Sequence, residues 1–143
     1  MTEPIDLPLP GLPGMLHIRI RYAKTHDLAL PDIDGSMMVL EDHLAPTGYL
    51  HAATVVALAD TACGYGALAS LPAGKAGFTT IELKANFLGT ATVEQELTVH
   101  ATAIHRGGTT QVWDATVRAG SAADDVPAVI AVFRCTQLLL DAR

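Results

Sequence analysis

A histidine and an aspartate stand nine residues apart in an apolar stretch, HAATVVALADTACGYGALASL, residues 51–71. Imidazoles and carboxylates are the side chains that most often move protons in reactions. Nothing else in the stretch carries charge at neutral pH. Ala and Leu are strong helix formers and the stretch holds no Pro, ending just before Pro72, so it predicts one helix. It is apolar or small on nearly every face, the pattern of a buried helix. Asp60 is therefore a lone carboxylate within a core element. At about 100° and 1.5 Å per residue, His51 and Asp60 fall on opposite sides of the axis and roughly 14 Å apart along it. One copy of the helix cannot bring both to one reacting atom. Two copies packed antiparallel can, each lending its head to the other's Asp60. The spacing predicts a site shared in a dimer. The competing reading makes Asp60 a structural carboxylate that caps or bridges that dimer.

Composition narrows the alternatives. The chain has 143 residues, half of them apolar and 17% charged, which suits one domain with an adequate core. A net charge of −6, with three Lys and six Arg scattered along the chain, argues against nucleic-acid binding, which needs clustered cations. Cys63 and Cys135 belong to no metal or redox spacing and read as buried thiols of a reducing compartment. With no basic-then-apolar leader at the N-terminus, a cytoplasmic location is expected. Residues 51–71 are long enough for a membrane span. Asp60, two interior glycines and few large aliphatics make them a core helix instead. His26 and His43 stand alone in polar surroundings with no second ligand at metal spacing; both are assigned to the surface, and no metal is expected.

The rest of the chain must position the helix. Residues 1–14 are Pro-rich and aperiodic and read as an extended arm; residues 15–143 form the single domain. Alternation marks a strand at 16–22, with His17 on its solvated side. Residues 31–35 carry turn chemistry, 36–40 form a short strand, and 41–50 form a loop into the helix. Strands follow at 78–88, 93–104, 109–119 and 128–138. In the first of these, Ile81, Leu83, Ala85 and Phe87 face one side and Thr80, Glu82, Lys84 and Asn86 the other. The last is almost continuously apolar, which places it centrally or buries both faces. Short links imply antiparallel pairing. The result is an α+β domain whose sheet of five to six strands curls around one long helix.

Gly48-Tyr49-Leu50-His51-Ala52-Ala53, Leu58-Ala59-Asp60-Thr61-Ala62 and Thr80-Ile81-Glu82-Leu83-Lys84-Ala85-Asn86-Phe87-Leu88, in this layout, resemble the hotdog fold and more narrowly the PaaI-like acyl-CoA thioesterases. The family pattern is a Gly, then His-Gly-Gly, then a helical Asp or Glu nine residues after the His. The resemblance implies hydrolysis of an acyl-CoA thioester between two subunits, in a homodimer or a tetramer of paired dimers. The backbone N–H of Ala52 would polarise the thioester carbonyl, since helix-head N–H groups are unpaired and partly positive. Asp60 of the partner would act as nucleophile or as general base on water. His51 is either catalytic or an anchor for its loop. Gly48, Tyr49, Ala53, Gly64, Lys84, Asn86, Arg106 and Gly107 fall at substrate or CoA positions. Arg106 leads as the phosphate ligand and Lys84 follows, unless these are ordinary solvated charges. Coenzyme A enters as part of the substrate, and no cofactor is implied.

The chain departs from that pattern in places. Ala52-Ala53 replaces Gly-Gly, and each extra methyl narrows the carbonyl or acyl site. Ala45 stands where the family often has Asn or Gln, so that role is either missing or filled by another group such as Thr47 or Tyr49. Gly64 stands where some members carry a hydroxyl. These departures keep a second function open, a non-catalytic acyl-CoA-binding hotdog protein. A dehydratase or hydratase of the same fold needs an acid/base His in a different neighbourhood, which the sequence lacks.

Overall fold

The uninterrupted run of helix formers becomes helix α2, Ala52–Ala69, as expected. The computed structural model describes residues 9–23, 32–121 and 123–143. His26 and the first eight residues of the expected arm lie outside them. Before α2 come a short helix α1 (Gly11–Met15) and strands β1 (Arg19–Ala23) and β2 (Asp32–Met38). A 3-10 turn, Glu41–His43, precedes α2, and strands β3 (Lys75–Phe87), β4 (Glu96–Arg106), β5 (Thr110–Gly120) and β6 (Ala128–Asp141) follow it. The described strands form one six-stranded sheet in the order β1-β2-β4-β5-β6-β3. Every pairing is antiparallel. Helix α2 lies across one face and touches each strand from β2 to β6. This is the α+β hotdog arrangement.

Two glycines set how closely the helix approaches. A Cβ on Gly64 would lie 2.7 Å from the Phe78 ring, and one on Gly66 would overlap the Trp113 ring. Trp113 cannot retreat, because it is fully buried and its Nε1–H donates to Gln111 Oε1 at 2.8 Å. The helix seats directly on two aromatic rings.

Several elements differ from the sequence expectation. The arm's end, Gly11–Met15, is a helical turn closed by Leu16 N–H to Leu12 O at 3.1 Å. The first strand therefore starts at Arg19, and His17 sits in the connection, exposed, with a φ of 58°. The expected turn at 31–35, whose Pro31 lies outside the described residues, is otherwise strand, since Asp32 to Gly35 pair with β1 and Ile33 to Gly35 also pair with β4. Gly35 is there for close packing: a Cβ would meet Val99 at 2.9 Å. His43 is a core residue, 2% exposed. Its Nδ1 accepts the Leu40 N–H at 3.0 Å, and its carbonyl accepts Thr54 Oγ1 and the His51 N–H. Such bonds make burial of an imidazole tolerable. Burial lowers its pKa, and the proximity of His17 acts in the same direction. Strand β6 is internal, but only one face is buried; Val132, Leu138 and Leu140 remain exposed on this chain.

Alternation along β3 also breaks. Thr80 pairs with Gln137 but Glu82 pairs with Thr136, so one extra residue, Ile81, is inserted. A bulge of this kind rephases the side chains. Thr80, expected opposite Leu83 and Phe87, thus turns to the helix side and reaches Asp60.

Candidate active site

Loop 41–50 delivers His51 to the helix head. Leu44 and Leu50 bridge, Ala45 N–H donates to Tyr49 O at 2.7 Å, and Gly48 turns the chain with φ of +86°. The reversal leaves Tyr49 66% exposed at the tip. His51 is then the N-cap, in extended conformation, and its Nδ1 accepts the Ala53 N–H at 3.0 Å. That bond needs an unprotonated Nδ1, which places the proton of the neutral ring on Nε2. A cap of this kind satisfies one of the orphan N–H groups of a helix start. Thr54 N–H is satisfied by His51 O at 2.9 Å. The Ala52 N–H has no acceptor among the described residues. It is an exposed donor at the positive end of an 18-residue helix.

Asp60 sits mid-helix, half-buried, and Thr80 Oγ1 lies 2.9 Å from its Oδ1. Burial pushes its pKa up, and the Thr80 bond pulls partly back. A carboxylate with raised proton affinity is a stronger base at neutral pH. The second oxygen has no side-chain partner among the described residues. Behind Thr80 lies Gln137, fully buried, with Oε1 2.9 Å from the same hydroxyl. Thr80 and Gln137 are the neighbours that sequence reasoning missed, because period-two counting points Thr80 away from the helix.

Along one chain the Ala52 N–H and Asp60 are about 12 Å apart by helix rise. The structure gathers Gly48, Tyr49, His51, Ala52 and Ala53 at the helix head, and Asp60 with Thr80 one helix-half further on. Gly64 is buried under the Phe78 ring. Lys84 and Asn86 lie on the opposite sheet face, beside the Asp114–Arg134 ion pair in a depression of about 340 Å³. Arg106 is exposed at the end of β4. Gly107 makes the tight turn there, since a Cβ would meet His105 Nε2 at 2.8 Å. Among the described residues, no group of three or more His, Cys, Asp or Glu is placed to hold a metal ion.

The sequence pattern of the thioesterase superfamily matches residues 47–124. The chain belongs to the thioesterase superfamily. The matched span holds every one of the residues expected at the site, from Gly48 to Gly107, and it ends before β6 and Gln137. Solved structures agree. A variant of a thioesterase enzyme from Staphylococcus aureus is 30% identical, with a TM-score of 0.74 over 90% of this chain and 98% of that one. The PaaI protein of the Escherichia coli phenylacetic acid degradation operon is 21% identical, with a TM-score of 0.72 over 91% and 84%. A Streptococcus mutans protein bound to acetyl CoA is 20% identical, with a TM-score of 0.67 over 78% and 83%. No curated protein matches. This superfamily member thus shares the hotdog fold, with PaaI-like proteins among its structural neighbours.

Proposed function

We propose that the protein hydrolyses an acyl-CoA thioester carrying a small or aromatic acyl group, consuming water and releasing the free acid and the CoA thiol. The observation that carries this reading is one helix bearing both an N–H at its head with no acceptor among the described residues and a half-buried carboxylate of raised proton affinity. The Ala52 N–H donates to the thioester oxygen, most strongly as negative charge develops there. Asp60 of a second subunit takes a proton from the attacking water, or attacks the carbonyl carbon itself. Ala52 and Ala53 offer only methyl groups at the helix head, which suits a short chain or a flat ring. The exposed Arg106 at the β4–β5 hairpin suits the CoA phosphates.

The second subunit is supported by what one chain leaves uncovered. Strand β3 is 13 residues long and lies at the sheet edge. Ile81, Leu83, Phe87 and Leu88 are exposed along and just beyond it. A long apolar edge invites pairing with another strand. Two β3 strands paired about a two-fold axis continue the sheet and set the α2 helices antiparallel, head against carboxylate. A pair of such dimers gives the tetramer.

Thiol release from a panel of acyl-CoAs, with native protein and Asp60→Asn, tests the reading. Hydrolysis that Asp60→Asn reduces by orders of magnitude, with the dimer intact, is the expected result. Binding of CoA esters without thiol release replaces the enzyme with an acyl-CoA-binding protein. Equal activity in Asp60→Asn removes Asp60 from the mechanism.

A further inference from the structure

We propose that Gln137 is a positioning residue for Asp60, its buried amide turning over as Asp60 gains or loses a proton and steering the Thr80 hydroxyl each time. Its positioning role rests on the thioesterase reading; the coupling itself follows from hydrogen-bond stoichiometry. Thr80 Oγ1 lies 2.9 Å from Asp60 Oδ1 and 2.9 Å from Gln137 Oε1. A hydroxyl has one proton and cannot donate to both. Gln137 is fully buried, so solvent cannot relieve the conflict. Its other amide atom, Nε2, lies 3.3 Å from Cys135 Sγ.

Two arrangements satisfy every group. When Asp60 is protonated, its O–H donates to Thr80, Thr80 donates to Gln137 Oε1, and Nε2–H donates to the sulfur of Cys135. When Asp60 is ionised it only accepts, so Thr80 must donate to it. The group behind Thr80 must then donate in turn. A half-turn of the Gln137 amide supplies Nε2–H to Thr80 and points Oε1 at the Cys135 thiol proton. A thiol donates and accepts weakly, so Cys135 serves both states. Gln111, paired with Gln137 across β5 and β6, is already committed to Trp113 Nε1–H and to Ser70 O.

The surroundings leave this path in control. On the helix side stand Cys63, one turn beyond Asp60, and Cys135 on β6, with His43 under the head of α2 and Tyr65 further along the helix. The Cys63 thiol, paired with Cys135 and buried, is pushed well above its usual range and stays neutral. From β3, Glu82 and Lys84, from β5 Asp114, and from β6 Arg134 lie on the other sheet face. The side chains that β2 and β4 turn toward α2, including Ile33, Met37, Leu97, Val99 and Ala101, are apolar and buried.

Hydrogen bonds that end on a charge are the stronger ones, and linked bonds reinforce one another. Removing Gln137 therefore weakens the ionised state more than the neutral one. In native protein, the Asp60 carboxyl carbon and the Gln137 side-chain amide should titrate with one shared midpoint by NMR. Gln137→Met, close in length and apolar, should raise the Asp60 midpoint by roughly 0.5–1 unit. The acid limb of kcat should move with it while KM holds. In a Thr80→Val background the same substitution should shift nothing further. A Gln137 amide that ignores the Asp60 midpoint overturns the proposal, whether or not the variant folds. So does an equal shift from Gln137→Met with and without Thr80. Shared titration in a protein that releases no thiol keeps the coupling and overturns the thioesterase reading instead.

Discussion

In the proposed reaction one helix-head N–H, with no acceptor among the described residues, and one half-buried carboxylate carry the chemistry, and each can be removed without disturbing its element. Pro at the first helical position is well tolerated because its absent N–H has no intrahelical partner there. His51 already has the extended backbone that precedes a proline. Ala52→Pro should therefore fold normally, keep the His51–Ala53 bond, and lose about 10²–10³ in kcat, measured as thiol release. Asp60 makes the opposite trade. Its folded pKa is raised, so the native fold binds that proton more tightly than the unfolded chain does. The native state loses stability, relative to Asp60→Asn, as pH rises from the ordinary carboxylate value through the raised one. At neutral pH the Asn variant should melt higher by a few degrees, roughly. Below the ordinary value the two should converge, and thermal melts at acid and neutral pH check both ends. Asp60 and the head of α2 were legible because a lone carboxylate in an apolar run is conspicuous. Thr80 and Gln137 were not, since no single residue type announces a neighbour brought in by strand register.

Packing explains why register escaped the pattern. Counting alternate residues along β3 assumes an unbroken period, and the bulge at Ile81 conserves composition while reversing phase. His43 escaped in the same way: its flanking residues are polar, but the loop folds its ring beneath the start of α2. Its lowered pKa makes the fold resist a proton that the unfolded chain accepts. Stability should fall as pH drops below about 6.5, the ordinary histidine value, and the fall should shrink in His43→Gln, followed by denaturant unfolding at pH 7.5 and 5.5. The strand count, antiparallel pairing and helix were legible, because turns and apolar runs are local. How closely α2 seats on the sheet was not, although Gly64 and Gly66 held the clue. Ala is the better helix former by about 1 kcal/mol. Overpacking against a ring that cannot move costs about 1–3 kcal/mol. For Gly66→Ala the Trp113 ring is pinned by Gln111, so the contact should win and the Tm should fall. Phe78 is only half-buried and can yield, so Gly64→Ala should cost less.

At the scale of the whole molecule, the proposed mechanism gives one chain two half-sites that only a second chain completes. The N–H of Ala52 and the Asp60 carboxylate lie about 12 Å apart along a rigid helix, and bending α2 to join them would break its seat on Trp113 and Phe78. The dimer proposed above, paired through β3, resolves this by symmetry, because its two-fold interface would place each helix head against the partner's carboxylate. Ala52→Pro and Asp60→Asn subunits then fail in different halves. A mixed dimer contains one site built from the intact Ala52 N–H of one subunit and the intact Asp60 of the other. Its second site carries both defects. Random exchange of equal amounts makes half the dimers mixed, each with one working site of two. Activity should rise from near zero in either variant alone to about one quarter of native. Thiol release before and after subunit exchange reads this directly. Leu83→Glu, which places a charge on the pairing edge, should abolish the recovery by leaving folded, inactive monomers, seen by size-exclusion chromatography. Mixing that yields only the average of the two variants would place both groups in one subunit, and would require α2 to adopt a shape its packing on the two rings opposes.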